Sequence, residues 1–320
     1  MPGPHLQTLW GKFLRRAPLQ PTVVERLDTP DGDFLDVHRL PGPDNAPILV
    51  LLHGLEGGIH SHYIQGLLGE ASSRGWRAAV IIFRSCGSEM NRTQRSYHSG
   101  ETTDLVFVLS HLAAESPAAP IVLAGASLGG NVLLKYLGET GTGISTSVRG
   151  AVAISVPFDL NRSSRHIDRG FAKVYQYHFL RSLRRKARDK AQRYPDLVPV
   201  EKLKAVSTMF DFDDSFTAPV HGFLGAEDYY RKSSSLGWLK GISVDTLLLS
   251  AVDDPFLPRQ VLNEVRDAAD GNAFLHLEFS PHGGHVGFVT GPSPFRPVYY
   301  LEKRTVDFLA DQLQRSTIGT

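Results

Sequence analysis

Apolar positions along the chain recur with two different periods, and the alternation between them defines the expected elements. Residues 23 to 40, "VVERLDTPDGDFLDVHRL", hold two alternating runs around Pro30-Asp31-Gly32, which predicts a β-hairpin. Six further runs are nearly continuous in apolar residues, as strands buried on both faces should be. They are "PILVLLHG" (47–54), "RAAVIIF" (77–83), "PIVLA" (120–124), "VRGAVAISV" (148–156), "DTLLLSAV" (245–252) and "FLHLEFS" (274–280). Between them the period lengthens. Helices are expected near 61–73, over 99–114 where cap residues and early acids precede the apolar stripe, near 258–269 and near 297–314. "NVLLKYL" adds another, with Val132, Leu133, Tyr136 and Leu137 on one face.

Strand and helix alternating at this spacing imply βαβ units and a mostly parallel sheet with helices on both faces. The alternation stops between 157 and 243, where the chain turns polar, aromatic and basic, and then resumes. The expected organisation is therefore one α/β core from residues 1–156 and 244–320, with 157–243 inserted as a helical cap over the site.

The turn between "PIVLA" and "NVLLKYL" reads Gly125-Ala126-Ser127-Leu128-Gly129. This is the G-x-S-x-G pattern of a nucleophile elbow, in which a strained turn lifts a serine hydroxyl above the sheet. A serine needs a base, and the base needs an orienting carboxylate. With this elbow the chain order is serine, acid, histidine, and both partners occur at the ends of the resumed strands. Asp253 and Asp254 follow "TLLLSAV"; the spacing favours Asp254 as orienter, leaving Asp253 to cap or brace the loop. His282 and His285 follow "FLHLEFS"; two glycines before His285 let that loop bend back toward the elbow, so His285 is the expected base. For the oxyanion, Leu128 offers the N–H after the nucleophile, and Leu55 in His53-Gly54-Leu55-Glu56-Gly57-Gly58 offers a second.

Composition narrows the function classes. A formal net charge of +1 over 320 residues argues against a nucleic-acid binder, and a single cysteine, Cys86, rules out an internal disulfide and reads as an inert packing thiol. No apolar run approaches a membrane span, and "MPGPHLQTLWGKFLRR" lacks the core of a signal peptide, so a cytoplasmic protein is expected. His60 and His62 near Glu56 are too few for a metal site of defined spacing, and no metal or cofactor is implied. Residues 162–193 carry eleven Lys and Arg against two Asp. Such a run is most often a solvated face paired with acids elsewhere; the alternative is a surface that attracts anionic lipid headgroups or an acidic acyl substrate. The aromatic residues Phe210, Phe212, Phe216, Phe223, Tyr229 and Tyr230 suit either an acyl pocket or the cap's own small core.

With these residues in hand, the chain resembles the YheT-like branch of the α/β-hydrolase superfamily. The resemblance runs from "HLQTLWG" (5–11) through "HGLEGG", "YHSGETTDL", "GASLGGN", "FDDSFTAPVHGF", "DYY" and "DDPF" to "HGGHVGF" (282–288). It implies Ser127 as nucleophile, the acid of DDPF as orienter and His285 as base. It also implies an esterase that cleaves short- to medium-chain or lipid-like esters through an acyl-enzyme. Acyl transfer to an alcohol, or a binding protein that keeps the fold without turnover, are the alternative readings.

Overall fold

The computed structural model describes residues 3–15, 18–198, 200–293 and 296–318. Eight strands form one sheet: β1 (Val23–Asp28), β2 (Phe34–Leu40), β3 (Ile48–Leu52), β4 (Arg77–Ile82), β5 (Ile121–Ala126), β6 (Val148–Ile154), β7 (Thr246–Ala251) and β8 (Leu275–Ser280). Their spatial order is β1-β2-β4-β3-β5-β6-β7-β8; β2 pairs antiparallel with β1 and β4, and all other pairs are parallel.

The apolar runs are explained by alternation of side chains across the sheet. Ile48, Val50 and Leu52 enter the hydrophobic cluster on one face, and Leu49 and Leu51 enter the cluster on the other. Ile121 and Leu123 likewise oppose Val122, Ala124 and Ala126. A strand buried on both faces has no polar position to offer, hence the continuous runs.

Helices cover both faces: α1 (Pro4–Phe13), α2 (His62–Ser73), α3 (Thr103–Glu115) and α4 (Leu128–Thr140) come before β6. Between β6 and β7 lie α5 (Leu160–His166), α6 (Ala172–Arg193), α7 (Val200–Ala205), α8 (Met209–Phe212), a π-helical turn (Asp213–Thr217), α9 (Ala218–Val220) and α10 (Ala226–Ser233). A 3₁₀ segment, Ser235–Gly241, then returns to the sheet side. Its Trp238 lies where a Cβ on Gly138 of α4 would fall, and Leu239 and Ile242 join the main core. α11 (Arg259–Ala269) and α12 (Tyr300–Ile318) complete the chain. Among the described residues no helix is long and apolar enough to cross a membrane.

Three differences from the expected elements have physical reasons. α1 adds a helix that was not among those expected: Leu6, Leu9, Trp10 and Phe13 share one face at helical spacing, but Leu6 and Phe13 stay exposed and Gln7 and Thr8 fix the helix through long-range hydrogen bonds. α3 starts at Thr103, not Ser99, because Ser99 is held in a loop by Asn131 and Tyr229. The last helix starts at Tyr300; Pro292 and Pro297 before it fall in a small antiparallel pair, β9 (Val289–Ser293) and β10 (Arg296–Tyr299).

Candidate active site

The carboxyl ends of the parallel strands converge on one crevice, where open α/β sheets bind ligands. β5 ends at Ala126, and Ser127, with φ 54° and ψ −121°, follows it and directly precedes α4. A residue with a side chain in this conformation is strained and persists only where its surroundings fix it. Here the Ser127 N–H is bound to the Ile154 carbonyl at 2.7 Å, and its own carbonyl accepts Asn131 N–H of α4. The flanking glycines are explained by contact: a Cβ on Gly125 would sit 2.4 Å from the Gly129 oxygen, and one on Gly129 would sit 2.5 Å from the His53 oxygen.

After β7, Asp254 is buried and its Oδ1 accepts the Phe256 N–H at 2.8 Å. Its Oδ2 lies 2.8 Å from His285 Nδ1, and His285 Nε2 lies 2.9 Å from Ser127 Oγ. Three residues far apart in sequence thus form one hydrogen-bonded relay. Phe256 stacks on the imidazole at 4.1 Å between ring centres, shielding it from solvent. Asp253 turns the other way: its Oδ1 accepts the N–H groups of Gly283 and Gly284, both at 2.9 Å. His282 is on the surface beside Asp253, outside the relay.

The loop after β3 faces the elbow. The Gly54 N–H donates to Tyr63 Oη at 2.8 Å and the Glu56 N–H to Tyr97 Oη at 3.1 Å. Those of Leu55, between them, and of Leu128 make no hydrogen bond among the described residues. His53, which sequence reasoning gave no role, sets this loop. It is fully buried, which lowers its pKa to about 4 and keeps it neutral. Its Nε2 accepts the Phe83 N–H at 3.1 Å, so the ring proton is on Nδ1 and donates to the Gly54 carbonyl at 2.8 Å. The "HG" spacing was the available signal, since a buried histidine before glycine can brace a turn.

Glu56, with φ 53°, ties the same loop to α6: it accepts hydrogen bonds from Tyr97, Ser182 and Lys186. Lys186 therefore faces inward. Other members of the basic run are also engaged, Arg162 with Asp159 and Glu264, Arg165 with Glu227, and Lys173 with Asp168. Lys190 is buried, donates to the carbonyls of Thr93, Gln94 and Arg95, and is pushed down to about 7 by that burial. Arg181, Arg185 and Arg188 remain exposed on α6. Cys86 is pushed up to about 11 by burial, so it is a thiol and not a nucleophile. His62 packs its ring against Gly11 of α1.

Two cavities meet at Ser127 and His285. One, of about 150 Å³, passes beneath the helices between β6 and β7 and is lined by Leu160, Leu183, Met209, Phe212 and Phe216. Two of its polar wall residues are held toward their neutral forms by burial, Asp213 raised to about 6 and His98 lowered to about 4. The second, of about 1170 Å³, lies between α1, α6 and the loop after β3. The aromatic residues left open by sequence divide: Phe212, Phe216, Tyr229 and Tyr230 line the first cavity while also packing in local clusters, whereas Phe210 and Phe223 only pack.

A crevice at the strand ends, an elbow serine and a buried acid–histidine pair are the marks of one class, the α/β hydrolases. The model of the alpha/beta hydrolase fold family matches residues 47–292. The chain is 39% identical over 315 residues to YheT of Escherichia coli, spanning 97% of this chain and 91% of that protein. It is 28% identical to mouse phospholipase ABHD3, over 93% of this chain and 73% of that one. Among solved structures, the Pyrococcus furiosus esterase Pf2001 superposes with a TM-score of 0.60 at 15% identity, covering 92% of each chain, a likeness of fold. The chain belongs to the α/β-hydrolase family and, within it, to the YheT-like branch of ester hydrolases.

Proposed function

We propose that this protein hydrolyses carboxylic esters of acyl chains, lipid-like ones included, through an acyl-enzyme on Ser127. The observation that carries this reading is the relay of 2.8 and 2.9 Å from Asp254 through His285 to Ser127 Oγ. His285 Nε2 takes the Ser127 proton as the oxygen attacks the ester carbonyl. The N–H groups of Leu55 and Leu128 receive the oxyanion, each such donor being worth about 10²–10³ in rate. Asp254 holds the proton on Nδ1 and stabilises the imidazolium. The alcohol leaves with the proton from His285; water then enters, loses its proton to the same nitrogen, and frees the acid and Ser127. These side chains handle every proton and electron pair, so the cycle needs no cofactor.

The narrow cavity suits the acyl chain and the larger one the alcohol portion, with residues 157–243 acting as the cap that walls the first. The exposed face of α6 supports a lipid surface as the source of substrate. Phe171, just before the helix, and Val174 and Tyr177 within it are each more than half exposed, and Arg181, Arg185 and Arg188 continue along the helix.

The test is labelling with a fluorophosphonate, followed by p-nitrophenyl esters of graded chain length. Wild type should label at Ser127, Ser127→Ala should not, and turnover should peak at a defined acyl length. Labelling that persists in folded Ser127→Ala, or folded wild type that neither labels nor turns over any ester, rejects the reading.

A further inference from the structure

Helix α1 lies outside residues 47–292, the span matched by the family model, yet two of its side chains end on the loop that carries His285. Thr8 Oγ1 accepts the backbone N–H of His285 at 2.9 Å. The same hydroxyl donates its single proton to the Pro4 carbonyl at 2.8 Å, which leaves a lone pair aimed at His285. Its neighbour Gln7, buried to 3% exposure, grips Val289 twice: Oε1 accepts the N–H at 2.8 Å and Nε2 donates to the carbonyl at 3.0 Å.

Contact between helix and loop is at backbone distance. A Cβ on Gly284 would fall 2.5 Å from the Pro4 oxygen, and one on Gly287 would fall 2.4 Å from the Gln7 oxygen. The loop needs such support. Gly284, Val286 and Phe288 all have positive φ, at 58°, 50° and 45°. Non-glycine residues in that region are strained and are kept only when their surroundings over-determine them. From the core side the Ser155 hydroxyl accepts the Val286 N–H at 3.1 Å, and Asp253 holds Gly283 and Gly284. α1 supplies the opposing grip.

We propose that α1 is a clamp for the general base: Thr8 and Gln7 are positioning residues that hold His285 at its hydrogen-bond distance from Ser127. This rests on the reading of His285 as base. Displacement of a catalytic group by about 1 Å can cost about 10²-fold in rate, so the clamp acts chiefly on kcat.

The experiment compares Thr8→Val, which keeps the shape and removes the acceptor, with Thr8→Ser, which restores it, and with Gln7→Glu, which removes the donor to Val289. In Thr8→Val, kcat and the fluorophosphonate labelling rate should fall about 10–100-fold with KM nearly unchanged, and Thr8→Ser should recover most of the loss. Gln7→Glu should show the same split if Thr8→Val fails to fold. Wild-type kcat in a folded Thr8→Val, or no recovery in Thr8→Ser, overturns the clamp. Hydrogen exchange at the His285 amide separates this from the ester reading. Thr8→Val should lower its protection whether or not the protein turns over esters, and unchanged protection also overturns the clamp.

Discussion

Asp253 and Asp254 are consecutive yet hold the same loop at different points: Asp254 meets the His285 ring at 2.8 Å, while Asp253 meets the backbone of Gly283 and Gly284. The two substitutions should therefore fail differently. Asp254→Asn should lower kcat by about 10⁴-fold, since the amide favours the wrong imidazole tautomer. Asp253→Ala leaves two N–H groups without their acceptor and should lower stability by about 1–3 kcal/mol with a much smaller loss of kcat. Steady-state kinetics beside denaturant unfolding distinguishes the two; a larger kcat loss at Asp253 would reverse the assignment.

The narrow cavity sets an expectation for acyl length. Leu183 is buried on its wall, on α6. Leu183→Phe should shift the best p-nitrophenyl ester to a shorter chain while fluorophosphonate labelling continues. An unchanged chain-length profile would place the acyl group elsewhere.

Asp213 gives a pH dependence. Burial raises its pKa from 3.8 to about 6, against the hydrogen bonds from Thr217 at 2.6 Å and Tyr230 at 2.7 Å that favour the anion. Below about pH 4 the carboxyl is protonated in both folded and unfolded chains. Between about pH 4 and 6 the unfolded chain ionises first, so the folded state loses stability as pH rises through the window. Relative to Asp213→Asn, the wild-type Tm should fall from pH 4 to 6 and then run parallel. Parallel curves throughout would contradict the raised pKa.

Lipid attraction, where it operates, belongs to the exposed arginines of α6 and not to Lys186, which is bound to Glu56 at 2.7 Å. Reversal of Arg181, Arg185 and Arg188 to Glu should weaken sedimentation with phosphatidylglycerol vesicles at low salt, an effect that 0.5 M salt should also produce. Equal binding of wild type and variant would leave these residues as a solvated face.

The sheet was legible in the sequence because its signals are local. A strand buried on both faces must be apolar throughout, and a turn as tight as that at Ser127 must have small neighbours. The placement of Asp254 and His285 at strand ends could be read from the same logic. What could not be read is polar and remote: Thr8 and His285 are 277 residues apart, and no periodicity reports a side chain that binds backbone so far away. The inward turn of Lys186 and Lys190 was hidden for a related reason. A run of positive charge in a sequence does not say which members find carboxylates or carbonyls when helix and loop pack.

Asn131, in the first turn of α4, is fully buried, and its carboxamide joins the helix to two other stretches, the loop at Ser99 and residues 233–235. Its Nδ2 donates to the carbonyls of Ser99 and Ser233 at 2.7 and 2.8 Å, and its Oδ1 accepts the Ser235 N–H at 2.9 Å. Both amide protons thus have fixed acceptors, one in the loop before α3 and one at the end of α10, a helical turn from the nucleophile. That makes a single side-chain NH₂ signal an internal gauge: its exchange with solvent records each moment when the helical segment lifts from the sheet, with no label attached.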